Sequence, residues 1–508
     1  MTTTAPQRDT PPMTDHVDVL IVGAGISGIG AAYHLSTEMP GATFTILEAR
    51  DAIGGTWDLF RYPGIRSDSD LHTFGYEFKP WTSDNAIAGA DEILDYLRET
   101  VAENNLGHHI RFGHKVLGAE WSSEEARWTV DVERTDTGEQ TQLTCGMLFC
   151  AAGYYDYAAG YTPQFDGRET FGGTIVHPQE WPDDLDYAGQ RIVVIGSGAT
   201  AVTLIPALAE RAAHVTMLQR SPSYVMTLPA QDPIANGLRR VLPDALAYRL
   251  TRRLNIARQR FIYDLSMRHP RLVRRLIRFM TKRQLPDGYA VDVHFKPRYN
   301  PWEERLCAVP NGDLFKAISD GRASVVTDRI ARFTERGILL ASGRELEADI
   351  IVTATGLKLL AFGGMQLAVD GRAVEMHDCL VYKSMMLSGV PNLAFAVGYT
   401  NSSWTLKVDL VCEHLCRMLA YMDTRGYDTV VPVEDDPTMP RRPLLDFHAG
   451  YVQRAVEKFP QQGSHGPWTV EMNYAADRVR LRQGPVSDPA LRFSSSSRRR
   501  HLAGSVTA

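Results

Sequence analysis

The sequence predicts an α/β fold made of two parallel-sheet units, the second nested within the first, with a helical insertion. Two glycine-rich turns each follow an apolar run of strand length and precede a helical pattern, in residues 17–35 and 191–208. A third apolar run, "ADIIVTATG", ends at Gly356 and would return the chain to the first unit. With 508 residues, the chain is long enough for two or three domains.

The first unit begins with "VDVLIVGAGISGIGAAYHL". Residues 17–22 form a continuous apolar run, and Gly23, Gly25 and Gly28 follow it. Glycines at this spacing permit a tight turn, close approach of the backbone to a pyrophosphate, and close packing of helix on strand. The next strand ends in Glu48, twenty residues beyond Gly28, where a carboxylate can accept hydrogen bonds from ribose hydroxyls. We therefore predict a Rossmann-like unit that binds a dinucleotide without a 2′-phosphate.

The second unit begins with "RIVVIGSGATAVTLIPAL", in which Gly196, Gly198 and Ala201 take the corresponding positions. Its next strand is followed by Arg220, nineteen residues beyond Ala201, where the first unit has its acid. A guanidinium suits a 2′-phosphate, whereas a carboxylate would repel it. This turn is therefore predicted to bind NADPH. The alternative is that Arg220 is only a solvated surface charge.

One NADPH site beside one site for an unphosphorylated dinucleotide indicates a flavoprotein that passes hydride from NADPH to FAD. The predicted boundaries are 14–152 and 353–490 for the FAD domain, 153–225 and 300–352 for the NADPH domain, 226–299 for the helical insertion, and 1–13 and 491–508 for flexible tails.

Composition excludes several other classes of protein. A net charge of -6 gives no reason to expect a nucleic-acid partner. The six cysteines form no C-x-x-C pair and no Cys/His ligand spacing, so neither zinc nor a disulfide framework is predicted. We see no secretory signal, and the longest nearly uncharged run is broken by Gly, Pro and polar residues. These features predict a cytoplasmic protein with reduced thiols.

The segment after Glu48, "ARDAIGGTWDLFRYPGIRSD", carries no redox cysteine pair and has Trp57 instead, so disulfide reduction is not expected. This stretch resembles the Gly-Gly-x-Trp, Tyr-Pro-Gly and Asp pattern of type I Baeyer–Villiger flavin monooxygenases. "FGGTIVHPQEWP" at residues 171–182 matches their fingerprint F-x-G-x-x-x-H-x-x-x-W-P at every specified position. The resemblance runs from about residue 14 to about 490, and "YNPWEERLCAVPNGDLF" and "GYTNSSWTLKVDL" are similar to the mycobacterial ethionamide-activating subgroup.

The resemblance implies an enzyme that uses FAD, NADPH and O2 to insert one oxygen atom beside the carbonyl of an apolar or aliphatic ketone. The product is an ester or lactone, formed via a flavin C4a-peroxide, and sulfide or thioamide oxidation is an expected side activity. By the same resemblance, Arg305 is the catalytic cation that keeps the peroxide anionic, and Asp68 orients it. Many family members have Lys where this chain has Glu304, which predicts a weaker NADPH preference. The alternative for Arg305 and Asp68 is an exposed ion pair.

Further site residues come from the motifs and the resemblance. The predicted contacts of the first dinucleotide, FAD, are Gly23, Gly25, Ser27, Gly28, Glu48, Gly55, Thr56, Trp57, Leu59, Asp68 and, through its backbone, Val116. Those of NADPH are Arg66, Ser67 and Asp68 beside the nicotinamide, with Gly196, Ser197, Gly198, Ala199, Thr200, Ala201, Arg220 and Ser221. Phe171, Gly173, His177 and Trp181 mark the fingerprint, and Trp404 is a candidate wall of the substrate pocket.

The fingerprint stretch suits neither a helix nor a strand, and we expect it to form part of a domain connection. The resemblance implies that His177 and Trp181 couple the two cofactor domains, with no proton transfer assigned to them. The alternative is a structural histidine and a packed tryptophan. Trp404 could likewise be a core residue.

Residues 238–283 hold fourteen Lys or Arg and two acids. Leu246, Leu250, Leu254, Phe261 and Leu265 recur at helical spacing, with Arg249, Arg252, Arg253 and Arg260 largely on other faces. One interpretation is a pair of solvated amphipathic helices packed on the NADPH domain. The other is peripheral contact with the inner face of an anionic membrane.

Two other functions stay open from the sequence. One is a flavin oxygenase of nitrogen or sulfur atoms, and the other is a non-catalytic flavin redox sensor at a membrane surface. Trp181 and Arg305 favour the ketone reaction, and the Asp68/Arg305 pair argues against the sensor.

Overall fold

The structure, a computed structural model, describes residues 15–304, 306–445 and 449–496. Its strands there are β1 (Asp15–Val22), β2 (Phe44–Leu47), β3 (Ile110–Arg111), β4 (His114–Ser122), β5 (Arg127–Arg134), β6 (Gln140–Cys150), β7 (Thr174–Val176), β8 (Arg191–Ile195), β9 (His214–Gln219), β10 (Tyr224–Leu228), β11 (Leu306–Pro310), β12 (Ala323–Thr327), β13 (Ile330–Thr334), β14 (Gly337–Leu340), β15 (Glu345–Glu347), β16 (Ile350–Val352), β17 (Gln366–Val369), β18 (Arg372–Ala373), β19 (Val381–Tyr382), β20 (Met386–Leu387), β21 (Leu393–Phe395), β22 (Thr429–Pro432), β23 (Arg441–Pro443), β24 (Gln461–Gly463) and β25 (Leu491–Ser494).

Its α-helices are α1 (Ile26–Glu38), α2 (Thr56–Leu59), α3 (Leu71–Phe74), α4 (Ala90–Glu103), α5 (Ala199–Leu208), α6 (Pro233–Val241), α7 (Asp244–Arg268), α8 (Pro270–Lys282), α9 (Val291–His294), α10 (Asp313–Ser319), α11 (Thr405–Arg425), α12 (Gly450–Gln453) and α13 (Tyr474–Asp477).

The first unit is built on a large sheet whose central strands, in the order β3-β2-β1-β6-β21, are parallel. Strand β1 is buried on both faces: Val19 and Ile21 belong to one apolar cluster, and Leu20 belongs to the cluster on the other side. A strand covered on both faces has no solvent side, which explains its continuous apolar sequence. On the side of β6 that faces away from β1, β21 pairs with residues 148–150 and β5 pairs with residues 140–145, so that β5 and β4 extend the sheet in antiparallel order.

The second unit is a parallel sheet in the order β12-β9-β8-β16-β7. The chain enters it after β6 and leaves it after β16, and β21 then pairs with β6 in the first sheet. The second unit is therefore nested within the first, as the sequence predicts.

Two local expectations are wrong. Residues Thr174–Val176 of the fingerprint form strand β7, which pairs with β16. Three β-favouring residues are too few to show periodicity, and the pairing partner is remote in the sequence. The predicted C-terminal tail also begins too early, because Leu491–Ser494 form β25 and pair with β22. Residues 1–13 and 497–508 lie outside the described residues.

The helical insertion also differs from the expectation. Helix α7 packs against α3 of the first unit, whereas α8 packs against β10, and Tyr248 of α7 donates a hydrogen bond to the Tyr76 carbonyl at 2.8 Å. Arg252 lies on a different face from the leucines, as predicted, but that face is the buried one. In the described part of the chain, no helix combines the length and apolar character needed to cross a bilayer.

Candidate active site

The first glycine turn lies between β1 and α1. Gly23 has φ +103°, a conformation that disfavours any side chain. A Cβ at Gly28 would lie 1.9 Å from the Gly23 carbonyl oxygen, so the helix packs directly on the turn. The buried Glu48 carboxylate accepts the Ala24 N–H at 2.7 Å and the Arg50 N–H at 2.9 Å. Burial raises the pKa of Glu48, and these two bonds oppose the rise. The Glu48 carboxylate is thus held beside the first glycine turn.

The Gly-Gly-x-Trp motif lies against this turn. Gly55 has φ +56°, and a Cβ there would lie 3.4 Å from the Gly25 Cα. The Thr56 hydroxyl and the Tyr157 hydroxyl are 3.1 Å apart. The Trp57 ring is partly buried against the core cluster that contains α1. The structure therefore brings the predicted Gly25, Gly55, Thr56 and Trp57 together.

The second glycine turn lies between β8 and α5. Gly196 has φ +139°, and the Ser197 hydroxyl donates to the Ser221 carbonyl at 3.3 Å. A Cβ at Gly198 would meet no atom within 4 Å, which leaves this side of the helix N-terminus open. The predicted Ala199, Thr200 and Ala201 form the first turn of α5. Arg220 is exposed directly after β9, and no carboxylate of the described residues lies within 4.0 Å of it.

The Tyr-Pro-Gly-Ile-Arg stretch joins the two units. Leu59 and Tyr62 pack into the apolar cluster that contains α5. Burial raises the pKa of Tyr62 to about 12. Arg66 pairs with Asp313 of α10 at 2.7 Å. The motif thus runs from the first turn to the N-terminus of the second dinucleotide helix.

His177 lies between the two segments that connect the units: the outgoing segment, which follows β6, and the return segment, which follows β16. Its Nε2 and the Gly356 carbonyl of the return segment are 3.2 Å apart, and its Nδ1 accepts the Gln179 N–H at 3.1 Å. These bonds require a neutral ring with the proton on Nε2. Burial lowers the pKa of His177, which favours that form. On the outgoing segment, a Cβ at Gly160 would lie 1.9 Å from the His177 ring.

The other fingerprint residues pack around β7. Phe171 is buried and its ring contacts Phe333 edge-on. A Cβ at Gly173 would lie 2.3 Å from the backbone oxygen that precedes β16. Trp181 is partly buried and packs edge-on against Tyr187. These contacts favour a packing role for Phe171, Gly173 and Trp181, which positions His177.

Trp404 lies at the start of α11 and reaches the first turn of α1. Its Nε1–H donates to the Ser27 hydroxyl at 2.8 Å, and Ser27 is buried. Its ring centroid is 5.3 Å from that of Tyr154. A Cβ at Gly398 would lie 2.5 Å from the Trp404 ring, so glycine makes room for this side chain. Trp404 is therefore adjacent to the predicted FAD site.

The remaining predicted residues are less closely gathered. Ser67 is buried and its N–H donates to the Ala88 carbonyl at 3.0 Å, whereas Asp68 is exposed. Val116 is buried in β4, whose first residue bonds the Glu48 carbonyl through its backbone. Arg305 lies outside the described residues, so its pairing with Asp68 stays a prediction.

The sequence-based prediction of the site did not include Arg454 or the tyrosines of the outgoing segment. Tyr157 contacts the Gly-Gly-x-Trp motif, and Tyr154 contacts Trp404. The Arg454 guanidinium stacks 3.5 Å from the Tyr161 ring centroid. The aromatic run "GYYDYAAGY" between the strand of one unit and the fingerprint is the signal that could have identified the tyrosines.

A buried ion pair beside Trp404 is also absent from the prediction. Lys407 is 2% exposed and Asp477 is 0% exposed, and Nζ lies 2.6 Å from Oδ2. The Tyr399 hydroxyl donates to the same oxygen at 2.7 Å. Burial lowers the pKa of Lys407, although Asp477 opposes the shift. A lysine in a helix ordinarily faces solvent, so no sequence signal indicates this pair.

The donor sets of the two turns fit the two cofactors. The first offers a helix N-terminus and a buried carboxylate, which suit a pyrophosphate and an unmodified ribose. The second offers an open helix N-terminus and an exposed arginine that pairs with none of the described carboxylates, which suit a dinucleotide with a 2′-phosphate.

Comparison with known protein families and sequences supports a flavoenzyme. Residues 20–228 match a family model described as pyridine nucleotide-disulphide oxidoreductase. All six cysteines here are free and buried. The chain is 53% identical over 483 residues to FAD-containing monooxygenase EthA of Mycobacterium tuberculosis, covering 95% of this chain and 98% of EthA. It is 51% identical over 491 residues to putative FAD-containing monooxygenase MymA of the same organism, covering 96% and 99%.

Solved structures share the fold at low sequence identity. An oxidised steroid monooxygenase bound to NADP matches with a TM-score of 0.75 and 22% identity. The match covers 95% of this chain and 100% of the steroid monooxygenase chain. An open structure of cyclohexanone monooxygenase has a TM-score of 0.71 and 20% identity, covering 95% and 100%. The predicted fold class, enzyme class and cofactors, FAD with NADP(H), are confirmed by these similarities. The chain belongs to the family of FAD-containing monooxygenases that includes EthA and MymA.

Proposed function

We propose that the enzyme is an FAD- and NADPH-dependent Baeyer–Villiger monooxygenase that converts apolar ketones to esters or lactones. The observation that carries the proposal is His177, held between the two segments that connect the NADPH-binding unit to the flavin unit. Oxidation of sulfides and thioamides is the proposed side activity.

His177 acts as a positioning residue. A neutral imidazole bonded to Gly356 and filling the space beside Gly160 links the outgoing and return segments. The relative orientation of the two units therefore depends on this ring. No proton transfer is assigned to it, because both ring nitrogens already have backbone partners.

The nicotinamide dinucleotide is held by the second turn. The N-terminus of α5 receives the pyrophosphate, and Arg220 receives the 2′-phosphate. The Glu48 carboxylate, held beside the first turn, would repel a 2′-phosphate and accept hydrogen bonds from an unmodified ribose. Glu304, in place of a lysine, leaves Arg220 as the principal phosphate ligand.

Reduced FAD, when bound, supplies the activated oxygen. We assign to Arg305 the fixed cation that stabilises negative charge there, on the strength of its sequence motif. A unit pair at about 4 Å contributes roughly 4 kcal/mol at an effective dielectric constant near 20. Asp68 orients that cation, while Trp404 and Tyr154 form an aromatic wall that limits the access of water.

The ketone assignment is supported by the two solved structures, a cyclohexanone monooxygenase and a steroid monooxygenase, which share this fold. Oxidation of nitrogen or sulfur as the principal reaction is the second candidate, because the same cofactor pair can serve it.

Product analysis separates the two reactions. The FAD-loaded enzyme would be incubated with NADPH and air, in parallel with a long-chain 2-ketone and a dialkyl sulfide. We expect an ester from the ketone by mass spectrometry, with sulfoxide as the lesser product. Sulfoxide formation without any ester from a panel of ketones would overturn the ketone assignment.

A further inference from the structure

Helix α7 is amphipathic, but it buries its polar face and exposes its apolar face. Its buried positions include Tyr248, Thr251, Arg252 and Asn255. Six of its large apolar side chains are exposed: Leu246 is 42% exposed, Leu250 39%, Leu254 44%, Phe261 67%, Ile262 37% and Met267 56%. A helix that turns its leucines to solvent and its polar residues inward lacks a cover for its apolar face.

The polar inner face prevents the helix from rotating to bury its leucines. The Arg252 guanidinium donates to the carbonyls of His72, Thr73 and Gly75 at 3.2, 3.1 and 2.6 Å. The Asn255 amide donates to Asp70 at 3.1 Å. Rotation would leave these buried polar groups without partners, which costs more than exposing leucines.

The next helix continues the exposed apolar surface. In α8, Val273 and Ile277 are buried, but Leu272 is 56% exposed, Leu276 50% and Phe279 57%. In the described part of the chain, twelve of the fifteen exposed large apolar side chains lie between residues 234 and 280. We call the following residues the α7–α8 outer surface: Leu246, Leu250, Leu254, Phe261, Leu272, Leu276 and Phe279.

Positive charge surrounds the α7–α8 outer surface. Of the fourteen Lys and Arg in residues 238–283, five pair with a carboxylate. The other nine have no described carboxylate within 4.0 Å, and Arg249, Arg253 and Arg275 are among the exposed ones. A protein core would complement the leucines but not these unpaired cations. An anionic bilayer complements both, with acyl chains for the apolar groups and lipid phosphates for the arginines.

We propose that the α7–α8 outer surface docks the enzyme on the surface of an anionic lipid bilayer. The leucines and phenylalanines enter the boundary between headgroups and acyl chains, and the unpaired arginines contact lipid phosphates. The chain stays on one side of the bilayer.

Docking through this surface would place the membrane next to the active-site wall. On the inner side of α7, Gln259 accepts a hydrogen bond from the Ser402 hydroxyl at 3.0 Å, two residues before Trp404. An apolar substrate dissolved in the bilayer would then enter close to Trp404. The docking proposal itself does not depend on which substrate the enzyme oxidises.

Flotation with extruded vesicles tests the proposal. The FAD-loaded full-length enzyme would be mixed with phosphatidylglycerol/phosphatidylcholine vesicles or with pure phosphatidylcholine vesicles at low salt. One variant removes charge (R249Q/R253Q/R275Q), and another removes apolar side chains (L250S/L254S/F261S). The matched control, R332Q/R344Q/R372Q, removes three exposed arginines elsewhere on the surface.

We expect wild type and the control to float with the anionic vesicles and not with phosphatidylcholine alone. The charge variant should bind roughly a hundredfold more weakly, at about 1 kcal/mol for each arginine. The apolar variant should lose roughly tenfold or more. Because all six altered side chains are exposed, both variants should retain FAD and oxidise a water-soluble substrate at the wild-type rate.

Three results would overturn docking. The first is no flotation of wild type at low salt, and the second is an apolar variant that binds like wild type. The third is self-association in sedimentation that the apolar variant abolishes, without vesicle binding, since a second copy would then cover the surface. Failure to oxidise any ketone would overturn the proposed function and leave the flotation result intact.

Discussion

The ion pair between Lys407 and Asp477 allows a quantitative test of how the loop carrying Trp404 is held. Asp477 accepts from both Lys407 and Tyr399, and Lys407 lies one helical turn beyond Trp404. The perturbations are Lys407→Met, Asp477→Asn and the double variant. Asparagine retains an acceptor for the Tyr399 hydroxyl, so the cycle isolates the charge interaction.

The magnitude follows from the distance and the burial. Two unit charges 2.6 Å apart attract by about 6 kcal/mol at an effective dielectric constant of about 20. Each single substitution leaves a buried charge without its partner, and we expect each to lower the free energy of unfolding by about 3–5 kcal/mol. The double variant buries no charge and should lie within about 2 kcal/mol of wild type. The coupling energy is therefore expected to be about 4 kcal/mol or more.

Urea unfolding of the holoenzyme, followed by tryptophan fluorescence and flavin release, measures the cycle. The exposed pair Arg260–Asp264 of α7 provides a control, since its double neutralisation should leave the unfolding midpoint unchanged. If the effects of the two single substitutions simply add in the double variant, then Lys407 and Asp477 do not interact as charges and the reasoning fails.

Four further predictions concern the cofactors and the connecting segments. Arg220→Gln should lower kcat/KM for NADPH roughly thirtyfold and leave kcat/KM for NADH unaffected. The factor corresponds to the loss of about 2 kcal/mol of attraction between the guanidinium and a doubly charged phosphate in a solvated site. An unchanged ratio of kcat/KM for NADPH and NADH would contradict this role. Arg305→Ala should retain flavin reduction in stopped-flow spectroscopy but lose ester formation about a thousandfold, for roughly 4 kcal/mol, and an unchanged ester yield would refute the assignment. Gly160→Ala should displace His177 and raise NADPH consumption without product, whereas Gly237→Ala, where a Cβ meets nothing, should behave like wild type. Folding lowers the pKa of His177, so the unfolded chain is protonated first as the pH falls. The stabilisation that is present above about pH 6.5 is therefore lost below it. The yield of product per NADPH consumed should fall in the same pH range, and His177→Gln should remove that fall.

Much of the dinucleotide machinery was predictable because it is local. Gly23, Gly28 and Gly196 are required by positive φ or by close packing within a few residues of each glycine. The acid or arginine after the second strand follows from a fixed spacing. These features depend on short stretches of sequence, and the structure has the glycine turns, the acid and the arginine where the motifs predict them.

The arrangement of the fingerprint could not be predicted from its own residues. Thr174–Val176 become a strand only because β16, remote in the sequence, offers an edge. His177 contacts Gly356 and lies against Gly160, and neither partner belongs to the fingerprint. A motif can indicate that a histidine matters without indicating which segments it joins.

By itself, the sequence determined the two nested α/β units and the likeness to flavin monooxygenases. It also predicted a different dinucleotide for each turn, because backbone conformation, periodicity and motif spacing depend on neighbouring residues. Only the tertiary structure decided which surfaces meet. It turned the leucines of α7 outward and Arg252 inward, buried Lys407 against Asp477, and brought Trp404 to Ser27. The spacing of apolar residues reports a helical face, but the direction of that face depends on partners that lie far away along the chain.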